Sequence, residues 1–451
     1  MGRTMPQIAT LFETPPPPER LGYVVSRFPD PSEGFIRYEL EEMARLAGGV
    51  EVFPLVTGSF RSRPDPACIS GGIRVCYPPA FPRPLLACGL VRMAREVFGP
   101  FLRAARRMPW EMLKALVLLP RMVSIGRQAT TVGVTHLHAH FAALPAVGAA
   151  FIHRLFGLSY SVTAHAYDLR GPASSMRWKM AGARFGVAVS NWSAVRAAAL
   201  TAGLPDLRWH VIRNGIPLGV FQSLDRGRTV SPTLRLLSVG RLVPKKGFED
   251  LLLACAILRA AGLAFVCRVV GDGPLRRRLP MLARRLGLDA HVMFTGSLTG
   301  DALLRSYAES DIFVLACRQA PDGETDTLPV VLTEAMAAGL PVVSTRLAAI
   351  PELIEDGFSG LLAEPADPAS LARALGHVLV DSGLRAALAQ HGRAVVARDY
   401  DVRQTAAALW RLMRRSVVGR IGDSHAAERG SPVVGPGDRR RPAPDRYPGA
   451  A

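Results

Sequence analysis

Two cationic side chains, Arg241 and Lys246, lie five residues apart between a predicted strand at 234–239 and a helix that begins near Phe248. Ligands of open α/β sheets bind at the carboxyl ends of the strands, so both cations can converge on one ligand there. A guanidinium can bind two oxygens at once, and an ammonium acts as a point charge. The spacing predicts a diphosphate site; a solvated basic loop is the alternative.

Carboxylates surround the start of a second predicted helix, which begins around Pro329 and ends before Gly339. Thr327 is expected to cap this helix, whose free backbone amides would form an anion site. Asp326 precedes the helix and Glu334 lies inside it, so both can accept hydrogen bonds from sugar hydroxyls. A metal site is the rival interpretation, but no histidine or further acidic residue lies at ligand spacing along the helix. A purely structural capped helix is a third alternative.

A glycine-rich turn follows the strand predicted at 264–270. Gly271 and Gly273 allow a tight strand-to-helix turn, and Pro274 suits a first helical position. The dinucleotide fingerprint would require glycine where Arg276 stands, so the turn does not predict a nicotinamide cofactor.

Histidines follow two predicted strands in the first half of the chain. His165 comes after the strand at 160–163 and would face a cleft if two domains oppose each other. His138 and His140 could suggest zinc, but no third ligand has suitable spacing. We therefore predict a structural role for these two.

Strand-like and helix-like runs alternate over most of the chain, which is typical of α/β layering. A chain of 451 residues exceeds one ordinary core, so two domains are expected. The predicted segments are a disordered N-terminus 1–19, a first domain 20–221, a linker 222–232, a second domain 233–398, a C-terminal helix 399–418 and a disordered tail 419–451.

The formal net charge of +18 favours contact with nucleic acid, an anionic membrane or phosphorylated substrates. The arginines do not form one block, and we expect no nucleic acid partner. The segment 85–128 places arginines between apolar residues at helical spacing, which is typical of helices on anionic membrane surfaces. Helices packed on the domain with solvated arginine faces are the alternative.

Six cysteines without a C-x-x-C pair fit a reducing cytosol. The first residues lack a long apolar run, so no signal peptide is expected. No stretch reaches ~18 uncharged apolar residues, so no transmembrane helix is expected either.

Strings in both halves of the chain resemble one family. In the second half these are Val-Gly-Arg-Leu-Val-Pro-Lys-Lys-Gly (239–247), Gly-Asp-Gly-Pro-Leu (271–275) and Leu-Pro-Val-Val-Leu-Thr-Glu-Ala-Met-Ala-Ala-Gly (328–339). With them the chain resembles the family 4 glycosyltransferases of the GT-B architecture. In the first half, His-Leu-His-Ala-His-Phe (136–141) and Thr-Ala-His-Ala-Tyr-Asp (163–168) are similar to the colanic-acid and exopolysaccharide branch of that family.

The resemblance implies a role for each matching residue. Arg241 and Lys246 would bind the donor diphosphate, and Glu334 would hold the donor ribose. Asp326 would contact the transferred sugar, and His165 would lie beside that sugar and be needed for transfer. The remaining donor-binding positions are Gly273, Leu328, Val330 and Val331.

The chain departs from the family pattern at three positions. Asp326 replaces the usual Glu and is one methylene shorter, so Glu324 could take its place. Gly34 stands where this branch commonly has Thr, in a loop that borders the acceptor and the donor phosphate. Pro217 replaces a frequent Asp.

The implied fold class is α/β, with two doubly wound Rossmann-like domains facing across a cleft and the last helix returning to the first domain. The implied reaction is retaining transfer of a sugar from a nucleoside-diphosphate sugar to a hydroxyl of a growing exopolysaccharide or cell-surface glycan, without a metal or other cofactor. We expect a polyprenyl-diphosphate-linked or other glycan acceptor and a cytoplasmic protein, peripheral at the inner face of the membrane. A nucleotide-sugar epimerase and a non-catalytic nucleotide-sugar-binding component of an assembly complex are the rivals.

Overall fold

The computed structural model describes residues 20–30, 33–56, 71–77, 109–225 and 233–418. The segments predicted as disordered, 1–19 and 419–451, lie outside these residues. So do residues 85–108 of the basic segment and residues 226–232 of the predicted linker.

A parallel sheet forms the core of the first domain. Its strands are β1 Leu21–Val25, β2 Val50–Pro54, β3 Ile73–Val75, β4 His136–His140, β5 Ser159–Ala164, β6 Gly186–Ala188 and β7 Trp209–Val211. Their order is β3-β2-β1-β4-β5-β6-β7, and every described pairing is parallel. The accompanying helices are α1 Gly34–Ala47, α2 Pro109–Thr131, α3 Leu144–Phe156, α4 Ala173–Met180, α5 Asn191–Leu200 and α6 Leu218–Gln222.

A second parallel sheet follows. Its strands are β8 Leu234–Val239, β9 Phe265–Val270, β10 Val292–Gly296, β11 Ile312–Val314, β12 Val342–Thr345 and β13 Leu361–Ala363, in the order β10-β9-β8-β11-β12-β13. The remaining helices are α7 Phe248–Ala260, α8 Arg278–Arg285, α9 Gly300–Ala308, α10 Val330–Ala337, α11 Ile350–Leu353, α12 Pro368–Val380, α13 Ser382–Asp399 and α14 Val402–Val418. The predicted α/β class with two doubly wound sheets is confirmed.

The strand order reverses beside the first strand of each sheet. In the first sheet β1 lies between β2 and β4, and in the second β8 lies between β9 and β11. The loops that leave neighbouring strands at such a point diverge to opposite faces of the sheet and open a crevice for ligands. The loops after β8 and β11 contain Lys246 and Asp326, so the predicted donor residues lie at this crevice.

The last helix packs against the first domain. Leu409 and Met413 of α14 are buried in the same apolar cluster as Ile36 and Leu40 of α1. Just before α14, the amide of Ile216 donates to the carbonyl of Tyr400 at 2.9 Å. The chain thus passes from the first sheet to the second between β7 and β8, and it returns to the first domain with α14.

None of the described helices is long and apolar enough to cross a membrane. The segment 109–128, the described part of the predicted basic segment, forms most of the single helix α2. Val117 of α2 is 72% exposed, whereas Met122 and Ile125 are buried in an apolar cluster of the first domain.

Gly247 provides a test of how tightly the loop after β8 fits the sheet. Its φ is +67°, and a Cβ there would overlap the carbonyl oxygen of Ala316. Gly262 has a similar φ of +75°, but no described atom lies within 4 Å of its Cβ position. Gly262→Ala should therefore cost only the left-handed backbone penalty, about 1 to 2 kcal/mol.

Gly247→Ala adds a backbone collision to the same penalty and should cost more than about 3 kcal/mol. Calorimetric unfolding of the two variants beside the wild type measures the difference. Equal losses of stability would show that the loop does not press on Ala316, just after the end of β11.

Candidate functional site

A short 3-10 turn, Pro244–Lys246, presents the lysines of the loop after β8. Arg318 supports this turn from the neighbouring loop. Its Nε donates to the carbonyl of Pro244 at 3.3 Å, and its backbone amide donates to the carbonyl of Lys245 at 3.0 Å. The guanidinium is held in turn by Asp250 at 3.0 Å and Glu249 at 2.9 Å. The turn is thus fixed by charge-assisted hydrogen bonds beneath it.

Lys246 and Asp326 form the central ion pair of the site, with Nζ and Oδ2 2.6 Å apart. Lys245 bridges Oδ1 of Asp326 and Oε1 of Glu324, at 3.1 Å from each. Burial acts to lower the pKa of Lys246, but the Asp326 carboxylate raises it overall. Burial acts to raise the pKa of Asp326, but the two ammonium groups lower it overall. Both partners are therefore charged near neutral pH.

Arg241 is exposed at the start of the same loop. Its positive charge acts to lower the pKa of Lys246, which means that the two cations lie within electrostatic reach of each other. A diphosphate bound here would meet both.

Glu334 lies on α10 and is half-buried. The hydroxyl of Tyr307 donates to its Oε2 at 2.8 Å, and burial raises the pKa of this carboxyl above its usual value. Tyr38 lies on α1 of the first domain. Burial is the largest cause that raises the pKa of Tyr38, and the negative charge of Glu334 is the second. A first-domain side chain therefore lies close to the predicted ribose carboxylate. Neither Tyr307 nor Tyr38 can be predicted from sequence, because packing alone brings each of them near Glu334.

The start of α10 differs from the prediction. Pro329, not Thr327, is the N-cap, and the helix begins at Val330. The prediction that Thr327 caps this helix is wrong, since the backbone at Pro329 is still extended (φ −65°, ψ 123°). The hydroxyl of Thr327 is buried without a hydrogen-bond partner among the described residues. Leu328, Val330 and Val331 are partly buried and pack against the apolar cluster of the second domain.

Gly273 begins the turn that leads to Pro274. Its φ is +156°, and a Cβ there would lie 2.7 Å from the carbonyl oxygen of Leu242. The amide of Leu242 donates to the carbonyl of Asp272 at 2.9 Å. Gly273 thus brings the glycine-rich turn against the loop that contains Arg241.

His165 lies at the carboxyl end of β5 in the first domain and is buried. Oδ2 of Asp168 accepts from the amides of His165 at 2.8 Å and Ala142 at 2.9 Å, which fixes the turn. Burial and the neighbouring histidines lower the pKa of His165 well below its usual value. The imidazole is therefore neutral near neutral pH.

Glu33 is the N-cap residue of α1, and Gly34 is the first residue of that helix. Burial, followed by the charge of Asp30, raises the pKa of Glu33 to about 7. The charges of His140 and Asp168 act on the same pKa, so the loop borders the histidine cluster. No described atom lies within 4 Å of a Cβ built on Gly34, so the space for a larger side chain is open.

Glu39, His138 and His140 place potential metal-ligand atoms within 4.8 Å of one another. Glu39 comes from α1, so the spacing of residues around His138 and His140 does not predict it as a third ligand. However, the ring nitrogens of His138 already contact the hydroxyls of Ser161 at 2.8 Å and Thr163 at 2.9 Å. The set therefore fits hydrogen bonding better than a metal.

Two sets of contacts join the first domain to the second near the ends of their strands. Arg170, five residues after His165, donates to the carbonyl of Asp322 at 2.6 Å, in the segment that leads to Glu324. Glu352 of the second domain accepts from the amides of Asn191 at 2.8 Å and Trp192 at 2.7 Å. These contacts bring the carboxyl edges of the two sheets together.

Comparison with known proteins gives matches in sequence and in fold. Residues 226–395 match the family described as Glycosyl transferases group 1. The amylovoran biosynthesis glycosyltransferase AmsK of Erwinia amylovora is 39% identical over 176 residues, 39% of this chain and 43% of that protein. The putative colanic acid biosynthesis glycosyltransferase WcaL of Escherichia coli K12 is 36% identical over 173 residues, 38% of this chain and 42% of that protein. Each alignment spans less than half the length of the relative.

Solved structures resemble most of the chain in fold. Anabaena Alr3699/HepE in complex with UDP aligns with a TM-score of 0.66 and 17% identity, over 88% of this chain and 100% of that chain. Sucrose-phosphate synthase from Thermosynechococcus elongatus aligns with a TM-score of 0.66 and 18% identity, over 88% of this chain and 98% of that chain. At this identity the likeness is one of fold, and it confirms the predicted GT-B architecture. The matched residues 226–395 include the second of the two parallel sheets.

Proposed function

We propose that this protein is a glycosyltransferase that moves a sugar from a nucleoside-diphosphate sugar to a hydroxyl of a growing exopolysaccharide or cell-surface glycan. The observation that carries the proposal is the cation cluster of Arg241, Lys245 and Lys246 at the crevice of a group 1 domain. Relatives named for amylovoran and colanic acid biosynthesis support the class of product. The fold neighbour that binds UDP supports the class of donor.

In this proposal Arg241 and Lys246 bind the diphosphate, together with the first amides of α10. Glu334, oriented by Tyr307, accepts hydrogen bonds from the ribose. Leu328, Val330, Val331 and Gly273 shape the walls around the nucleotide. The transferred sugar lies between this edge and His165.

Retention of configuration is part of the proposal. A covalent intermediate would require a free carboxylate nucleophile, whereas Asp326 is paired with two ammonium groups that lower its pKa and its basicity. We therefore assign the acceptor proton to a phosphate oxygen of the donor. As the bond from sugar to phosphate breaks, Arg241 and Lys246 stabilise the charge of the leaving diphosphate. No metal or cofactor is needed for this step.

A lipid-linked acceptor would bring the protein to the cytoplasmic face of a membrane. Support comes from the net charge of +18 and from the exposed Val117 and Lys114 of α2. The basic residues of 85–108 lie outside the described residues. We propose a polyprenyl-diphosphate-linked glycan as the acceptor and a peripheral position on anionic lipid.

Lys246→Gln tests the donor site. The variant removes one charged hydrogen bond to the diphosphate, so donor hydrolysis across a panel of nucleotide sugars should fall about tenfold to a hundredfold. Arg284→Gln is the matched control, since Arg284 is 79% exposed and lies 3.7 Å from Asp289. Circular dichroism establishes that both variants are folded.

Three outcomes would contradict the proposal. Measurable nucleotide-sugar binding without turnover of any donor would favour a non-catalytic component. Conversion of the donor sugar without a new glycosidic bond would favour an epimerase. Unchanged hydrolysis by folded Lys246→Gln would remove the proposed diphosphate site.

Asp326→Asn tests the competition between protein and donor for Lys246. The Asp326 carboxylate pairs with the same ammonium that the diphosphate would bind. Removing the charge of Asp326 should therefore tighten binding of UDP at least about threefold. Turnover should nevertheless fall if Asp326 contacts the sugar. The side chain of Glu324 pairs with Lys245 and not with Lys246, so Glu324→Gln should tighten UDP binding less than Asp326→Asn does. Isothermal titration measures both affinities, and weaker binding by Asp326→Asn would show that the carboxylate supports the site rather than competes for it.

A further inference from the structure

Aromatic side chains line the carboxyl edge of the first sheet. Phe141 directly follows β4, His165 directly follows β5, and Phe35 is the second residue of α1, the helix after β1. The ring centroids of Phe141 and His165 lie 4.5 Å apart, and those of Phe35 and His165 lie 5.2 Å apart. Strands β1, β4 and β5 are consecutive in the sheet, at the place where the strand order reverses. The three rings therefore lie at the ligand crevice of the first sheet.

The backbone of Phe141 is strained. Its φ is +79°, in the left-handed region that a bulky side chain rarely adopts. Its amide donates to the carbonyl of Thr163 at 2.9 Å, and the next amide, that of Ala142, donates to Oδ2 of Asp168 at 2.9 Å. These bonds turn the chain out of β4, and glycine would make the same turn without strain. Strain of this kind clusters at functional sites, which points to a role for the phenyl ring itself.

The two phenyl rings are not fully covered by protein. Phe35 and Phe141 pack against the apolar cluster that contains Ile36, yet both remain partly exposed. The residue before Phe35 is Gly34, where a Cβ would meet open space. Among the described residues, the carboxylate of Glu33 has no hydrogen-bond partner. The crevice thus combines an apolar aromatic surface with a carboxylate that a ligand can use.

A sugar ring fits these chemical properties. One face of a pyranose can present mainly C–H groups, whose hydrogens carry a slight positive charge, whereas the face of a phenyl ring is negative. The hydroxyls around the edge of the sugar require acceptors such as a carboxylate. Sites for small ligands commonly combine an aromatic wall with a few polar groups in this way. A nucleobase would also stack on phenyl rings, but the cations that would hold its diphosphate lie on the second domain.

We propose that Phe35 and Phe141 form an aromatic platform that stacks against the C–H face of a sugar ring beside His165. This inference rests on the proposed function, which brings two sugars to the crevice: the sugar of the donor and the terminal sugar of the acceptor glycan. Both sugars have the same chemistry toward the platform, and the two arms of the test distinguish them.

The first arm tests the sugar of the donor. Phe141→Leu removes the aromatic face but keeps an apolar side chain. Isothermal titration of the full-length protein compares each nucleotide sugar of a panel with its free nucleotide, for example UDP-glucose with UDP. If the platform binds the donor sugar, Phe141→Leu should weaken binding of the nucleotide sugar about threefold to tenfold and leave binding of the nucleotide unchanged. Phe358→Leu is the matched control, since Phe358 also stacks on a histidine, His391, with centroids 4.0 Å apart, and it should leave both affinities unchanged.

The second arm tests the sugar of the acceptor. Methyl hexopyranosides are added to the full-length protein with saturating UDP, and saturation-transfer NMR measures which of their protons contact aromatic rings. If the platform binds this sugar, the signal should be concentrated in the C–H protons of one sugar face, and Phe141→Leu should reduce it at least about threefold. Phe35→Leu should reduce the same signal. It changes a residue of ordinary helical backbone, so it provides the test if Phe141→Leu does not fold.

A loss in either arm supports the platform and identifies the sugar that it binds. Unchanged values in both arms for folded variants would overturn the proposal, and so would a wild type that binds no sugar in either arm. Equal weakening of UDP and UDP-glucose would overturn it as well, because the ring would then act on the nucleotide or on the shape of the site. Glycoside binding that depends on Phe141, in a protein that turns over no donor, would support the platform and reject the glycosyltransferase function alone.

Discussion

The ion pair between Lys246 and Asp326 is the interaction on which the proposed donor site depends. It joins the loops after β8 and β11, which leave neighbouring strands at the point where the strand order reverses. Removing one partner of a buried pair leaves the other charge uncompensated, which costs more than the pair itself contributes. A diphosphate can take over the role of the carboxylate, because it brings negative charge to the same ammonium. In the proposed function, the ligand therefore replaces the carboxylate that holds the two loops together.

The rest of the second domain supports that pair. Arg318 fixes the turn beneath Lys246, and Gly247 lets the turn lie directly on the strand end after β11. Tyr307 orients Glu334 on the adjacent helix. The first domain adds His165 from the opposite edge, and α14 packs against α1 of that domain. Each domain therefore supplies residues that are useful only when the other faces it.

Much of this arrangement could be predicted from sequence because it follows from strand ends. Arg241, Lys246, Asp326 and His165 each follow a strand closely enough for the topology to bring them to a sheet edge. The side-chain partners within the site could not be predicted, because they depend on packing between elements that are distant in sequence. Tyr307, Tyr38 and Glu39 meet their partners only in the folded chain. Thr327 was assigned to a cap that Pro329 occupies, since a favourable residue type does not fix the backbone. His138 and His140 look alike in sequence, yet one binds strand hydroxyls and the other contacts His165.

A crystal structure of the protein with UDP tests the central claim most directly, through the distances from Nζ of Lys246 to the phosphate and to Asp326. We predict a phosphate oxygen within hydrogen-bond distance of Lys246, with the ribose against Glu334 and the contact to Asp326 longer than the present 2.6 Å. Nucleotide bound elsewhere, with the ion pair between Lys246 and Asp326 intact, would contradict the account.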